Sequence, residues 1–159
     1  MIFCLLLAII QHAMPAPNSP ILFIDNDSDD HSFVREALAT LRHPYPLRSF
    51  FSAEEALVYL YKTTDQPFLI LSDIAMREMN GLELRETIEA IPELKQKGIP
   101  FIILTDFATR THIERAYELS VQGFYAKPHE YGKLAELLDR IICYWEDCLH
   151  PHHSAVPKV

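Results

Sequence analysis

The sequence predicts an α/β domain: a doubly wound, five-stranded parallel sheet in the order 2-1-3-4-5 with helices on both faces. Three observations lead there. Five short apolar runs recur along the 159 residues, each is followed by a segment of helical period, and several of the runs end on an acidic or hydroxyl residue. Alternating strand and helix describes βα units, and with five strands the commonest doubly wound order brings strands 1 and 3 together at the centre.

The first run, Ile21 to Asp25, precedes a helical stripe of Val34, Leu38 and Leu41. Leu47 to Phe51 is the second strand, followed by Ala56, Leu57 and Leu60. The third, Phe68 to Asp73, enters a loop closing on Asn80-Gly81 and then a stripe of Leu84, Ile88 and Ile91. Phe101 to Thr105 is the fourth, with a weaker stripe of Ile113, Ala116 and Tyr117 behind it. Gly123 to Ala126 is the fifth, and the longest stripe runs from Leu134 through Leu137, Leu138, Ile141 and Ile142 to Trp145. His43-Pro44 with Pro46, Gln66-Pro67, Gly98 with Pro100, and Lys127-Pro128 punctuate the loops.

A chain of this length with 49% apolar residues suits one well-buried domain, expected over residues 20–148, between an extension at 1–19 and a flexible tail at 149–159. Twenty-two acidic residues against 14 basic ones give a formal charge of -8, and no Lys/Arg cluster offers itself to nucleic-acid phosphates. Cys4, Cys143 and Cys148 are odd in number and lack metal-ligand spacing, which fits a reducing cytoplasm better than a disulfide framework. The apolar stretch from Met1 to Ile10 is too short to span a bilayer as a helix, and no Lys or Arg precedes Arg35 to make it a secretion signal. Met14 is an alternative start, opening a proline-bearing leader into the first strand.

Chemistry concentrates at strand ends. Asp73 closes a buried strand and enters a loop, while Asp25 and Asp27 follow the first strand, so strands 1 and 3 would bring carboxylates face to face. Two carboxylates about 5 Å apart at an effective dielectric near 20 repel by on the order of 3 kcal/mol, which a cation would reverse. Each residue also has a plainer reading. Asp27 or Ser28 serves better as a helix cap than as a metal ligand. Thr105, Phe124 and Lys127 taken singly are a strand-end threonine, a core aromatic and a loop lysine.

Together these positions resemble the receiver domains of two-component response regulators, which share the flavodoxin-like sheet. The resemblance covers roughly Ile21 to Trp145 and rests on Ile24-Asp25-Asn26-Asp27, Asp73-x-x-Met76-x-x-Met79-Asn80-Gly81, Ile103-Leu104-Thr105 and Gly123-Phe124-Tyr125-Ala126-Lys127-Pro128. It implies that Asp73 accepts a phosphoryl group from a sensor histidine kinase or phosphotransfer protein, with Thr105 and Lys127 binding the phosphoryl oxygens and Phe124 following Thr105 as a switch. It further implies Mg²⁺ held by Asp25, Asn26, Asp73 and the backbone carbonyl of Ala75. With no output domain in view, the expected output is binding of another protein, or phosphorelay, through the fourth helix, fifth strand and fifth helix. The stripe from Tyr131 to Trp145 is also a candidate homodimer face.

The chain departs from the family pattern at Asn26, where a second metal-binding carboxylate is usual, at Arg77 in place of a common proline, and at Asp106 in place of a small residue. Ala75 and Phe107 stand where hydrolysis of the aspartyl phosphate is tuned, and neither can position water. The resemblance therefore implies weakened Mg²⁺ binding and slow self-dephosphorylation rather than enzyme activity. One rival is a receiver-shaped binding module that takes no phosphate. Another is a haloacid-dehalogenase-like phosphatase with Asp25 as nucleophile and Asp27 as acid/base. That family needs later metal carboxylates at another strand end, whereas Asp139 and Asp147 fall in the last helical segment. The tail residues His150, His152 and His153 near Cys148 are a further, weak metal-binding candidate.

Overall fold

The central strands are short apolar runs whose alternate side chains feed opposite cores, while β2 and β5 at the sheet edges are less buried. A computed structural model describes residues 18–150; Met14, nearly all of the expected N-terminal extension, and the tail from residue 151, with His152 and His153, lie outside the described residues. The elements in chain order are β1 (Ile21–Ile24), α1 (Ser28–Thr40), β2 (Leu47–Phe50), α2 (Ala53–Lys62), β3 (Leu69–Ser72) and α3 (Gly81–Ala90). They continue with α4 (Pro92–Lys95), β4 (Phe101–Thr105), α5 (Arg110–Glu118), β5 (Gly123–Ala126) and α6 (Tyr131–Asp147). Every strand pairing is parallel, and the order is β2-β1-β3-β4-β5, as the sequence predicts.

Because side chains alternate along a strand, one face carries Ile21, Phe23, Leu69, Leu71, Ile102 and Leu104. These pack under α1 and α6 through Val34, Ala37, Leu134, Leu138 and Ile142. The other face carries Leu22, Ile24, Ile70, Phe101 and Ile103, covered by Ala56, Leu60, Leu84, Ile88 and Ala116 from α2, α3 and α5. A fully buried Leu, Ile or Phe contributes about 2 kcal/mol, so the two cores hold the sheet edge firmly enough to carry polar groups.

Two sequence expectations are corrected. The stripe of Ile113, Ala116 and Tyr117 does not bury as a unit, since Ala116 is buried while Ile113 is 39% and Tyr117 76% exposed. A single alanine meets the sheet from α5, and the bulky residues beside it face outward. The short helix α4 was not anticipated. Ile91 caps it without a side-chain hydrogen bond and Pro92 starts it, so it continues the chain just past α3. Arg85, buried on α3, ties that helix to the end of α5 by donating to the carbonyls of Leu119 and Ser120 at 3.2 Å each. Among the described residues no helix is long and apolar enough to cross a membrane.

Helix α3 begins hard against the end of β3. The Asn80 side chain accepts from the N–H groups of Leu82 and Glu83, and Glu83 returns a carboxylate to the Asn80 N–H, a complete capping box. At Gly81 a Cβ would stand 2.1 Å from the Asp73 carbonyl oxygen, so only glycine lets α3 start there. Gly132, near the start of α6, has nothing within 4 Å of such a Cβ. Gly81→Ala is therefore expected to lower stability by about 2 kcal/mol through overpacking, whereas Gly132→Ala should be neutral or raise it by up to about 1 kcal/mol through helix propensity. Urea unfolding of both variants checks this, and equal effects would contradict it.

Candidate functional site at the carboxyl edge of the sheet

The register decides which residues meet. Ile24 lies opposite both Phe50 and Ser72, so Asp25 and Asp73 leave β1 and β3 at the same level. Thr105 lies opposite Ala126, which brings Lys127 out beside Asp106 on the same rim. The chain thus carries Asp25, Asp73, Thr105 and Lys127 to one edge, and all four are buried.

Lys127 is the hub. Its ammonium donates to Asp25 Oδ2 at 2.8 Å and to Asp30 Oδ2 at 2.6 Å, and stands 3.7 Å from Asp106 Oδ2. Burial by itself would pull the lysine pKa down, but the hydrogen bonds to Asp25 and Asp30 outweigh it and push the pKa above the ordinary range. An ammonium has three N–H bonds, and Asp25 and Asp30 take two of them. The third has no acceptor within 3.5 Å among the described residues.

Asp25 is 1% exposed. Its Oδ1 accepts from the Asp27 N–H at 2.9 Å and its Oδ2 from Lys127. Burial is the strongest influence and pushes its pKa up, against the opposing pull of Lys127, while the nearby charge of Asp73 raises it further. Asp73 donates its backbone N–H to Ile24 O at 2.9 Å, which pins the β3 exit to β1. Its Oδ2 accepts from the Ala75 N–H at 3.1 Å, and its Oδ1 is buried with no hydrogen-bond partner among the described residues. A buried carboxylate oxygen left unpaired is costly, and it marks the point on this edge with capacity for a cation or an electrophile.

Asp27 accepts from the Asp29 N–H at 2.8 Å and caps α1, in keeping with its plainer reading. Asn26 is exposed and lines a cavity of about 130 Å³ with Ser52 from the end of β2 and with Met76 and Met79 from the loop after Asp73. Thr105 Oγ1 accepts from the Phe107 N–H at 3.2 Å. Ile103 pairs with Phe124 and Thr105 with Ala126, so Thr105 and Phe124 share one sheet face on neighbouring strands, two residues apart in register. Phe124 is half-buried against the core beneath α2, α3 and α5.

Two residues escape sequence reading. Asp30 looks like an ordinary acidic residue in a helix's first turn, yet it takes a hydrogen bond from Lys127. His31 is buried, with Nε2 2.7 Å from the Asp25 carbonyl oxygen and its ring 4.2 Å from that of Phe51. A carbonyl can only accept, so Nε2 carries the proton and holds the backbone turn that presents Asp25. The only sequence signal for either was proximity to Asp25.

The response regulator receiver domain family model matches residues 21–139. The chain is 31% identical over 126 residues to the chemotaxis protein CheY-3 of Vibrio cholerae, covering 78% of this chain and 92% of that protein. It is 30% identical over 129 residues to the DNA-binding transcriptional regulator NtrC of Proteus hauseri, covering 79% of this chain and 26% of the relative's length. Among solved structures, the phosphorylated cyanobacterial phytochrome response regulator RcpA superposes with a TM-score of 0.73 at 25% identity, covering 84% of this chain and 97% of that one.

Asp73 repels Asp25 across the rim, and the Lys127 ammonium is hydrogen-bonded to Asp25 and Asp30, so neutralising Asp73 should relieve strain. Asp73→Asn is expected to raise the melting temperature of the metal-free protein by about 3–6 °C at neutral pH, reflecting roughly 1–2 kcal/mol. Mg²⁺ at tenfold over its dissociation constant should raise that of the unsubstituted protein by about 5 °C, from about 1.4 kcal/mol of binding linkage. Differential scanning calorimetry reads both, and a Mg²⁺ response that persists undiminished in Asp73→Asn would contradict the assignment of the repulsion.

Proposed function

The chain belongs to the response regulator receiver domain family, and from that premise we propose that Asp73 accepts a phosphoryl group from the phosphohistidine of a sensor kinase or phosphotransfer protein. The phosphorylated state is then passed on by binding a downstream protein or by phosphorelay. The observation that carries the proposal is the Asp73 carboxylate, buried at the rim with Oδ1 unpaired while Asp25 and Lys127 lie close enough to influence it.

In the transfer, an Asp73 oxygen forms its bond to phosphorus as the phosphorus–nitrogen bond of the phosphohistidine breaks and the imidazole departs. The uncommitted N–H of Lys127 reaches a phosphoryl oxygen while Asp25 and Asp30 keep the ammonium charged and aimed. The Thr105 hydroxyl, which accepts from Phe107 in the resting protein, has its own proton to donate to a second phosphoryl oxygen. Asp25, Asp73, the Asn26 amide oxygen and the Ala75 carbonyl would hold Mg²⁺. These are hard oxygen donors, and the unpaired Asp73 Oδ1 fits such an ion. Bound there, Mg²⁺ supplies positive charge that neutralises the carboxylates and the phosphoryl oxygens.

A Thr105 drawn toward the phosphoryl group vacates space on the face it shares with Phe124, which turns the chemistry into a packing change on the surface of α5, β5 and α6. Exposed Ile113, Tyr117, Tyr125 and Tyr144 give that surface apolar contact area for a partner. A homodimer through α6 would have to use its outer residues, since Leu134, Leu138 and Ile142 are committed to the sheet. The reading implies a reducing cytoplasm, in keeping with free Cys143 and Cys148. Hydrolysis of the aspartyl phosphate is expected to be slow, because Ala75 and Phe107 offer no group to activate water.

A binding module that takes no phosphate is the second reading, favoured by Asn26 in place of a carboxylate and by the capture of Lys127 by two aspartates. Acetyl phosphate with Mg²⁺, followed by intact mass, separates the two. The proposal expects one phosphoryl adduct, absent in Asp73→Asn, and about tenfold tighter Mg²⁺ binding in Asn26→Asp, worth about 1.4 kcal/mol. In the same assay the adduct should outlast that of an Ala75→Asn/Phe107→Glu variant. No adduct on the unsubstituted chain at saturating Mg²⁺ would favour the module, and p-nitrophenyl phosphatase activity lost in Asp25→Asn but kept in Asp73→Asn would favour a phosphatase.

A further inference from the structure

A second group of ligating side chains lies in a different part of the molecule, between the α1–β2 loop and the far end of α6. Asp139 and Cys143 stand four residues apart on α6 and therefore on one helical face. His43 reaches them from the loop. A His43 ring nitrogen, an Asp139 carboxylate oxygen and Cys143 Sγ all lie within 4.8 Å of one another. His43 Nε2 is already 2.9 Å from Asp139 Oδ1. Its other nitrogen, Nδ1, is 3.3 Å from Glu146 Oε1, one turn further along the same face.

Beyond these ion pairs, the donor set is one that a borderline-soft divalent cation takes. An imidazole nitrogen, a thiol and a carboxylate are the donor types that zinc takes, with a water completing four-coordination. A carboxylate on the second ring nitrogen fixes the tautomer and orientation of a ligating histidine, and Glu146 occupies that position. Tyr45, 8% exposed, stacks on His43 with ring centroids 6.4 Å apart and backs its ring.

A divalent ion there would bind Cys143 as the thiolate.

We propose that His43, Asp139 and Cys143 form a zinc-type cation site, oriented by Glu146, that staples the α1–β2 loop to α6. It is separate in place and donor chemistry from the all-oxygen site at Asp73. A Zn²⁺ ion there displaces the thiol proton to solvent and brings ligands now up to 4.8 Å apart to the closer spacing of a tetrahedral shell.

Co²⁺ titration of the full chain by absorption spectroscopy tests it, because a thiolate ligand gives a near-ultraviolet charge-transfer band. The band is expected to saturate at a single equivalent, to be displaced by Zn²⁺ but not by millimolar Mg²⁺, and to survive Asp73→Asn. It should vanish in Cys143→Ser and His43→Ala, and Glu146→Gln should weaken Co²⁺ binding about tenfold. It should persist in a Cys4→Ser/Cys148→Ser variant, which removes the other thiols. Cys143 is exposed, so its substitution leaves the core intact, as circular dichroism should record. Absence of the band, its survival in Cys143→Ser, or its loss when only Cys4 and Cys148 are replaced would each overturn the proposal.

Discussion

One ammonium holds the functional edge together. Lys127 takes Asp25 and Asp30 as hydrogen-bond partners and has Asp106 3.7 Å away, while Asp73 adds its charge from the adjoining strand end. A single positive charge among four carboxylates leaves the rim short of three positive charges at full ionisation. That shortage is the physical basis of the proposal that a cation and an electrophile bind there. A buried ion pair of this kind adds little net stability, but removing one member leaves the rest buried and unpaired, so Lys127 organises the rim and its loss is costly.

The remainder of the fold keeps these groups in register. Two apolar layers clamp a sheet whose strands end together, and the parallel pairing of β1, β3 and β4 lets Asp25, Asp73 and Thr105 emerge side by side. The start of α3 is then pressed onto the Asp73 carbonyl through Gly81, with Asn80 as its cap. His31, packed on Phe51 and bonded to the Asp25 carbonyl, fixes the matching turn on the other side. Rigid elements thus present the Asp73 carboxylate, while Thr105 and Phe124 lie on one face of neighbouring strands.

What could be read from the sequence follows from the range over which each signal acts. Strand ends are local: an apolar run that stops at Asp25, Asp73 or Thr105 declares its own boundary, and the sheet order followed from the count of βα units. The roles of Asp30 and His31 are not local, because both sit in the first turn of α1 and only the fold shows that one meets Lys127 and the other a backbone carbonyl. Ile113 and Tyr117 have helical spacing but no core to enter, since spacing cannot say how much of a helix the sheet can cover. His43 and Asp139 are 96 residues apart, and their meeting depends wholly on α6 packing beside α1.

The central claim is that Asp73, and not Asp25, is the carboxylate left open to a phosphoryl group while Lys127 is held by its neighbours. Fluorine NMR of the protein with Mg²⁺ and beryllofluoride, a mimic of the phosphoryl group, tests it most directly. The account predicts protein-bound fluorine resonances that disappear in Asp73→Asn and persist in Asp30→Asn. Resonances that survive Asp73→Asn, or none at saturating Mg²⁺ and beryllofluoride, would contradict it.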